Sequence, residues 1–418
     1  MSVHPIIAAL RKHKAGTILI AAQIALTLAI VCNAVFIIGQ RIERVHRPTG
    51  IEENDLFLIQ QQWVGAPSGD DPAGAEKLDA KLREDLAALA ALPDVAAVTP
   101  INSLPLLNSS WNGAVALKPG HGDFDGKART TYYFADERLM ATLGLKLVAG
   151  RAFDAGDVQH RAFRDQSVAP VAMLTKALAD KLFPDGQAVG KVVYFDGGST
   201  PSTIVGVVER LQVPGTGSWT NSFTWYSSIQ PVRLNANFSR YAVRAKPGRL
   251  AAAMRAAVPA LYKVDPMRVI DDKDGVRSFA EIRQSAYRAD VGMAALMGAI
   301  CLVLIAVTAA GIVGLTSFWV GQRRKQIGVR RALGARKVDI LRYFQAENLL
   351  IAGAGTVLGI ALAIGLNLLL MKYFEMEHLP VPYVLAGVAV VLALGQAAVY
   401  GPARRASNVP PVEATRSV

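Results

Sequence analysis

Four stretches of the chain contain no Asp, Glu, Lys or Arg: 26 residues between Lys14 and Arg41, 32 between Asp290 and Arg323, 24 between Glu347 and Lys372, and 26 between Glu377 and Arg404. Each is dominated by Ala, Leu, Ile and Val. A helix rises about 1.5 Å per residue, so roughly 20 residues cross a ~30 Å hydrocarbon core. The pattern predicts transmembrane helices over 15–40, 289–321, 347–371 and 380–403. A cleaved signal peptide is the alternative for the first, because Arg11, Lys12 and Lys14 precede it. Its apolar run exceeds the roughly 7–15 residues of a signal, and no small-x-small cleavage site follows. Val31 before Cys32 is also too bulky for a lipoprotein cleavage box. A retained anchor is the expectation.

Between the first two spans the periodicity changes. LFLIQQQW (56–63) reads as a strand, and 73–92 as an amphipathic helix with Leu78, Leu82, Leu86 and Leu89 on one face. VAAV (95–98) follows as a strand. The order recurs far downstream: a strand at 240–245, a helix at 249–262, a strand at 267–271. Two such units so far apart predict a split α+β layer with another module inserted. The insert, about 104–235, is rich in strand and glycine signals, including 129–153, 171–186, 189–195 and 202–213. Residues 274–288 are expected to be a helical stalk.

The net charge of +12 acquires meaning only against this pattern. With 52% apolar and 19% charged residues, the chain is neither a disordered basic tail nor a soluble nucleic-acid binder. The Lys and Arg cluster in the head (1–14), in the 322–346 loop with eight of them, and in the tail (404–418). By the positive-inside rule these three segments are cytoplasmic. Residues 41–288 then lie outside, as does the short 372–379 loop, and both termini are inside. The outer segment carries a net charge of only +3. Both cysteines, Cys32 and Cys301, fall within spans, so the outer domain is expected to fold without disulfides.

Candidate chemistry is sparse. The six histidines form no HExxH and pair with no cysteine, and there is no G-x-S-x-G elbow. The doublets Asp70-Asp71 and Asp271-Asp272 read as solvated loop charge. Trp111, Trp219, Trp225 and Tyr226 could line an apolar surface, although packing is their default role. No G-x-x-x-x-G-K-[ST] occurs. GAGTVLG (353–359) lies inside a span and lacks Lys, so Gly353, Gly355 and Gly359 read as close helix packing. The chain is therefore expected to bind no nucleotide, cofactor or metal and to have no catalytic residues. The spans hold few polar residues, namely Gln23, Thr27, Asn33, Thr308, Asn367 and Gln396, which argues against a polar path through the bilayer.

The loop GQRRKQIGVRRALGARKVDILRYFQAEN (321–348) reads as a helix to Leu333, a cap at Gly334 and a second helix. QIGVRRALGA (326–335) followed by Glu347 resembles the coupling loop of MacB/FtsX-type ABC transporter permeases. The tail GPARRASNVPPVEATR (401–416) is similar to that family's ending. Tyr133 through Leu145, Gly150-Arg151, Leu182-Phe183, Gly190-Lys191 and Val205 through Val208 resemble its periplasmic core. The resemblance spans nearly the whole chain in the family's order.

It implies an α-helical membrane protein with four transmembrane helices and a large α+β extracytoplasmic domain, made of a split βαβ layer plus an inserted strand-rich subdomain. It implies a permease subunit in the bacterial inner membrane, moved by an ABC ATPase subunit that uses ATP and Mg. The ATPase-coupling surface would comprise Arg324, Lys325, Gln326, Ile327, Arg330, Arg331, Leu333, Gly334 and Glu347. Further implied partners are a second copy or a homologous permease, the lipid bilayer, and a periplasmic adaptor with an outer-membrane channel; nucleic acid is not among them. Two departures matter. The family often has Glu where Gln326 stands, which implies a weaker or differently paired ATPase contact. MacB carries its ATPase on the same chain, whereas 14 residues precede the first span here, so a separate ATPase is expected. The alternatives are an FtsX-like regulator of periplasmic cell-wall hydrolases and a membrane-tethered periplasmic enzyme, the latter without a catalytic constellation to support it.

Overall fold

The structure, a computed structural model, describes residues 14–69, 71–120, 128–165, 167–374 and 377–410. Most of the expected head, the tail beyond 410, Asp70 and the stretch 121–127 lie outside these. The chain forms two compact units, 47–288 and the combination of 1–46 with 289–418.

In chain order the elements are α1 (Lys14–Val45), β1 (Leu56–Trp63), α2 (Pro72–Ala90), β2 (Val95–Pro100), β3 (Trp111–Ala116), β4 (Ala128–Ala135), α3 (Leu139–Leu143), β5 (Leu147–Gly150), β6 (Gln159–Ala162), β7 (Val171–Thr175) and α4 (Lys176–Leu182). They continue with β8 (Val192–Phe195), β9 (Ser202–Val208), a 3₁₀ turn (Ser218–Phe223), β10 (Ser227–Asn235), β11 (Phe238–Ala245), α5 (Leu250–Val264), β12 (Arg268–Val269) and β13 (Val276–Ser278). The last four helices are α6 (Phe279–Gln322), α7 (Arg324–Ala332), α8 (Lys337–Phe374) and α9 (Val381–Ser407).

In the 47–288 unit, β12, β1, β11 and β2 form one sheet, with β13 also pairing with β1. β11 lies antiparallel between β1 and β2, so β1–α2–β2 is a split βαβ unit. β1 likewise separates β11 from β12, which makes β11–α5–β12 the second. Phe57, Ile59, Tyr241 and Val243 pack against Leu78, Leu82, Leu86 and Leu89 of α2 and against Ala253, Ala257 and Leu261 of α5. Asp71 caps α2, its Oδ1 accepting the Gly74 N–H at 2.7 Å. The insert is an eight-stranded mixed sheet that includes β3 through β10. α4 packs onto it through Leu178 and Leu182. Two salt bridges fix α2. Arg268 holds Asp85 through two bonds of 2.7 Å, both side chains fully buried, and the Tyr241 hydroxyl donates to the same carboxylate. Arg233 of β10 grips Asp79 at 2.7 and 2.9 Å, tying the insert to the layer.

The expected split layer and insert are present, with two corrections. The 267–271 strand is only Arg268–Val269. The 274–288 stalk starts as β13, because the Gln60 backbone N–H donates to the Gly275 carbonyl and Phe57 through Ile59 continue the pairing to Ser278. The helix begins at Phe279, where Glu281 and Ser278 cap each other, the Glu281 carboxylate accepting the Ser278 N–H at 2.8 Å.

In the other unit, α1, α6, α8 and α9 are each long and apolar enough to cross a membrane. They overrun the charge-free stretches. α1 reaches Val45, carrying Arg41 and Arg44 to Asp290 of α6, and α8 starts at Lys337. Intramembrane polar groups are used between helices. Thr27 and Thr308 hydroxyls meet at 2.8 Å, Gln23 Nε2 donates to the Val307 carbonyl at 3.1 Å, and Asn33 Nδ2 donates to the Ala363 carbonyl at 3.1 Å. Asn367 Oδ1 accepts the Leu379 N–H at 3.0 Å. These residues join helices and loops, which is the commonest work of polar groups in a bilayer.

Candidate coupling site

The sequence between the second and third spans mixes basic and apolar residues from Arg324 to Leu333 and then meets Gly334. That pattern folds as α7. Gly334 has φ +95°, a left-handed conformation that favours glycine. Ala335 N–H returns to the Arg330 carbonyl at 3.0 Å and Gly334 N–H to that of Arg331 at 3.2 Å, closing the helix end. Asp339 caps the start of α8 by accepting the Arg336 N–H at 3.0 Å.

The base of α7 is held from inside. Arg323 directly precedes it, and its Nη1 donates to both Glu347 oxygens at 3.0 and 2.9 Å. Glu347 is 2% exposed and Arg323 9%. Ile327 is buried in the same cluster as Ile340, Phe344 and Ala403. The Arg330 guanidinium lies 5.0 Å from the Tyr343 ring centre. Arg331 Nη1 donates to the Ala335 carbonyl at 3.2 Å.

The residues expected at the coupling surface divide by burial. Glu347 and Ile327 are interior anchors, withdrawn by the Arg323 pair and by apolar packing. Arg330 and Arg331 each spend part of their guanidinium on their own chain. Arg324, Lys325 and Gln326 are exposed. Leu333 is 82% exposed, the most of any large apolar residue described, with Val329 at 44% and Val338 at 50%. Val329 and Leu333 stand four residues apart, so they share one face. Sequence reading missed Arg323 and Tyr343 as anchors. An Arg at the edge of a span and an aromatic seven residues after Arg336 carry no signal of mutual contact.

The packing glycines also divide. A Cβ on Gly355 would meet the Ala21 carbonyl oxygen at 2.7 Å, and one on Gly359 the Ala25 carbonyl oxygen at 3.0 Å. These two let α8 lie close against α1. Gly353 has nothing within 4 Å of such an atom in this chain. Among the described residues, no group of three or more His, Cys, Asp or Glu is placed to hold a metal ion.

Comparison with known proteins gives two family matches. The MacB-like periplasmic core domain matches residues 17–261, and the FtsX-like permease C-terminal domain matches 298–411. A macrolide export ATP-binding/permease protein MacB 1/2 of Paracoccus denitrificans is 28% identical over 416 residues, covering 97% of this chain and 57% of that protein. A MacB 2 of Aeromonas hydrophila is 29% identical over 280 residues, covering 65% of this chain and 41% of that protein. The chain spans about half the length of the curated relatives it matches. Among solved structures, the periplasmic region of MacB from Actinobacillus actinomycetemcomitans aligns with 17% identity and TM-score 0.34, over 58% of this chain and 97% of that one.

Proposed function

Since the chain belongs to the family that joins a MacB-like periplasmic core domain to an FtsX-like permease C-terminal domain, we propose that it is the permease subunit of an ABC transporter, driven by a separate ATPase subunit. ATP and Mg act in that partner. The permease sits in the inner membrane with both termini cytoplasmic, and works as a pair with a second copy or a homologous permease. Its outer domain moves to export a substrate from the periplasm or to extract it from the outer leaflet.

The observation that carries this reading is α7. It and its C-terminal cap present Lys325, Val329 and Leu333 outward while the Arg323–Glu347 pair locks its base to α6 and α8. A load applied to α7 cannot be absorbed by a loose loop. It passes to two long helices at once. α6 is a single helix of 44 residues that ends at Gln322, directly before Arg323.

The test uses variants of the outward face alone. Leu333→Asp combined with Lys325→Glu is expected to abolish co-isolation of an ATPase from native membranes, with membrane insertion unchanged. Retained co-isolation would remove α7 from the interface. Capture of a cell-wall hydrolase instead, with no ATPase, would support the regulator reading.

A further inference from the structure

The outer unit contains a cavity of about 580 Å³ between α2, the β2 end and the insert. Its volume falls within the usual range of small-molecule sites, about 300–1,000 Å³. One wall is a run of neighbouring aromatic rings in edge or tilted contact. Phe134 and Trp111 lie 5.3 Å apart, Trp111 and Phe163 5.4 Å, and Phe163 and Phe238 5.2 Å. Phe163 and Phe238 are 40% and 38% exposed, so the run ends at the solvent. An exposed pair of phenylalanines leading to a buried aromatic wall is costly unless something apolar covers it.

The one charged residue of the lining is Arg240. It is half-buried and donates only to neutral acceptors: Gln60 Oε1 at 2.8 Å, the Asn102 carbonyl at 2.5 Å and Ser109 Oγ at 3.2 Å. Among the described residues no carboxylate pairs with it. By contrast Arg233, Arg268 and Arg283 of this unit, also half-buried or buried, each hold one. Burial, and then the neighbouring Arg277, pull its pKa down, so the site disfavours the charge it carries. Arg161 adds positive charge behind the wall, 4.6 Å from the Phe134 ring centre.

We propose that this cavity binds a small amphipathic anion: a planar apolar body laid along Trp111, Phe163 and Phe238, with a carboxylate or sulfonate head at Arg240. An anion supplies the counter-charge that Arg240 lacks, and its ring covers the exposed aromatics. The site does not depend on the ATPase reading, since it lies wholly within the outer unit. Trp111 belongs to it; Trp219, Trp225 and Tyr226, grouped with it from sequence, do not line it.

The full chain in nanodiscs is titrated calorimetrically with naphthalene-2-sulfonate, neutral 2-naphthalenemethanol and cationic 2-naphthyl-trimethylammonium, with empty nanodiscs as the partition control. Saturable binding of the sulfonate is expected, with the cation at least about tenfold weaker. Phe163→Ala should weaken the sulfonate and the neutral alcohol together by about tenfold. Arg240→Gln should weaken the sulfonate alone, and the preserved alcohol binding shows that the cavity remains folded. Ala236→Trp, which fills the space without removing a contact, should abolish both. Absence of saturation by about 1 mM, equal binding of anion and cation, or indifference to Ala236→Trp would each overturn the proposal.

Discussion

Residue chemistry in the two units is set by what burial leaves a charge to pair with. The sequence marked Glu347 for its position after the basic loop, and that position matters, but the partner is internal. A carboxylate in a span-flanking helix reads as surface until the fold shows Arg323 opposite it. Removing one member of a buried pair strands the other and costs about 3–5 kcal/mol. Glu347→Ala should therefore lower the thermal midpoint of the detergent-solubilised chain sharply, while Arg323→Met with Glu347→Leu together should recover most of the loss. Asp136 is the second case, invisible in the sequence because DE pairs in loops are usually solvated. Burial pushes its carboxyl up to about 6, although the Thr99 hydroxyl at 2.6 Å and the Arg138 N–H at 3.0 Å pull it down. The folded state thus holds this proton more tightly than the unfolded chain, where it leaves near pH 4. Stability from this group is full below pH 4 and is lost as pH rises through 6. Asp136→Asn keeps an acceptor and removes the charge. It should stabilise the chain at pH 7.5 by on the order of 1–3 kcal/mol and make no difference near pH 4, as read from thermal midpoints at both pH values.

At the level of elements, charge-free runs located all four spanning helices, since nothing but a bilayer or a deep core tolerates such runs. The helices themselves run several residues beyond those runs. Arg41 and Arg44 read as loop from composition, yet they remain helical because Asp290 receives them. β13 was read as helix because its three residues are too short for alternation to show, and only pairing with Phe57–Ile59 makes it a strand. The glycines of α8 show the same limit. Gly353 and Gly355 are two residues apart, hence on roughly opposite faces of a helix. Composition flagged both, and only the path of α1 selects Gly355 and Gly359. Gly355→Val should reduce the thermal midpoint by the equivalent of about 1–3 kcal/mol, the range for overpacking. Gly353→Ala should be neutral or slightly stabilising, because glycine in a helix interior costs roughly 0.5–1 kcal/mol relative to alanine.

For the whole molecule, topology and basicity belong together. Positive charge is concentrated in the segments expected to be cytoplasmic, and its largest group surrounds α7. The order of modules was legible because hydrophobic period switches from long apolar runs to strand and helix periods and back. The cavity was not, since its walls come from α2, the β2 end, β3, β4, the β6 flank, β10 and β11, distant in sequence and joined only by the closing of the insert onto the split layer. The central claim is that force enters at α7 and is expressed in the outer domain. Cys32 and Cys301 are buried, so a spin label on Lys146→Cys in the outer domain reports without interference from exposed native thiols. Pulsed distance measurement between two labelled copies, reconstituted with the ATPase, tests it most directly. The account predicts a changed distance distribution on adding ATP, and no change when both copies carry Leu333→Asp. Identical distributions with and without ATP in the unmutated protein would contradict it.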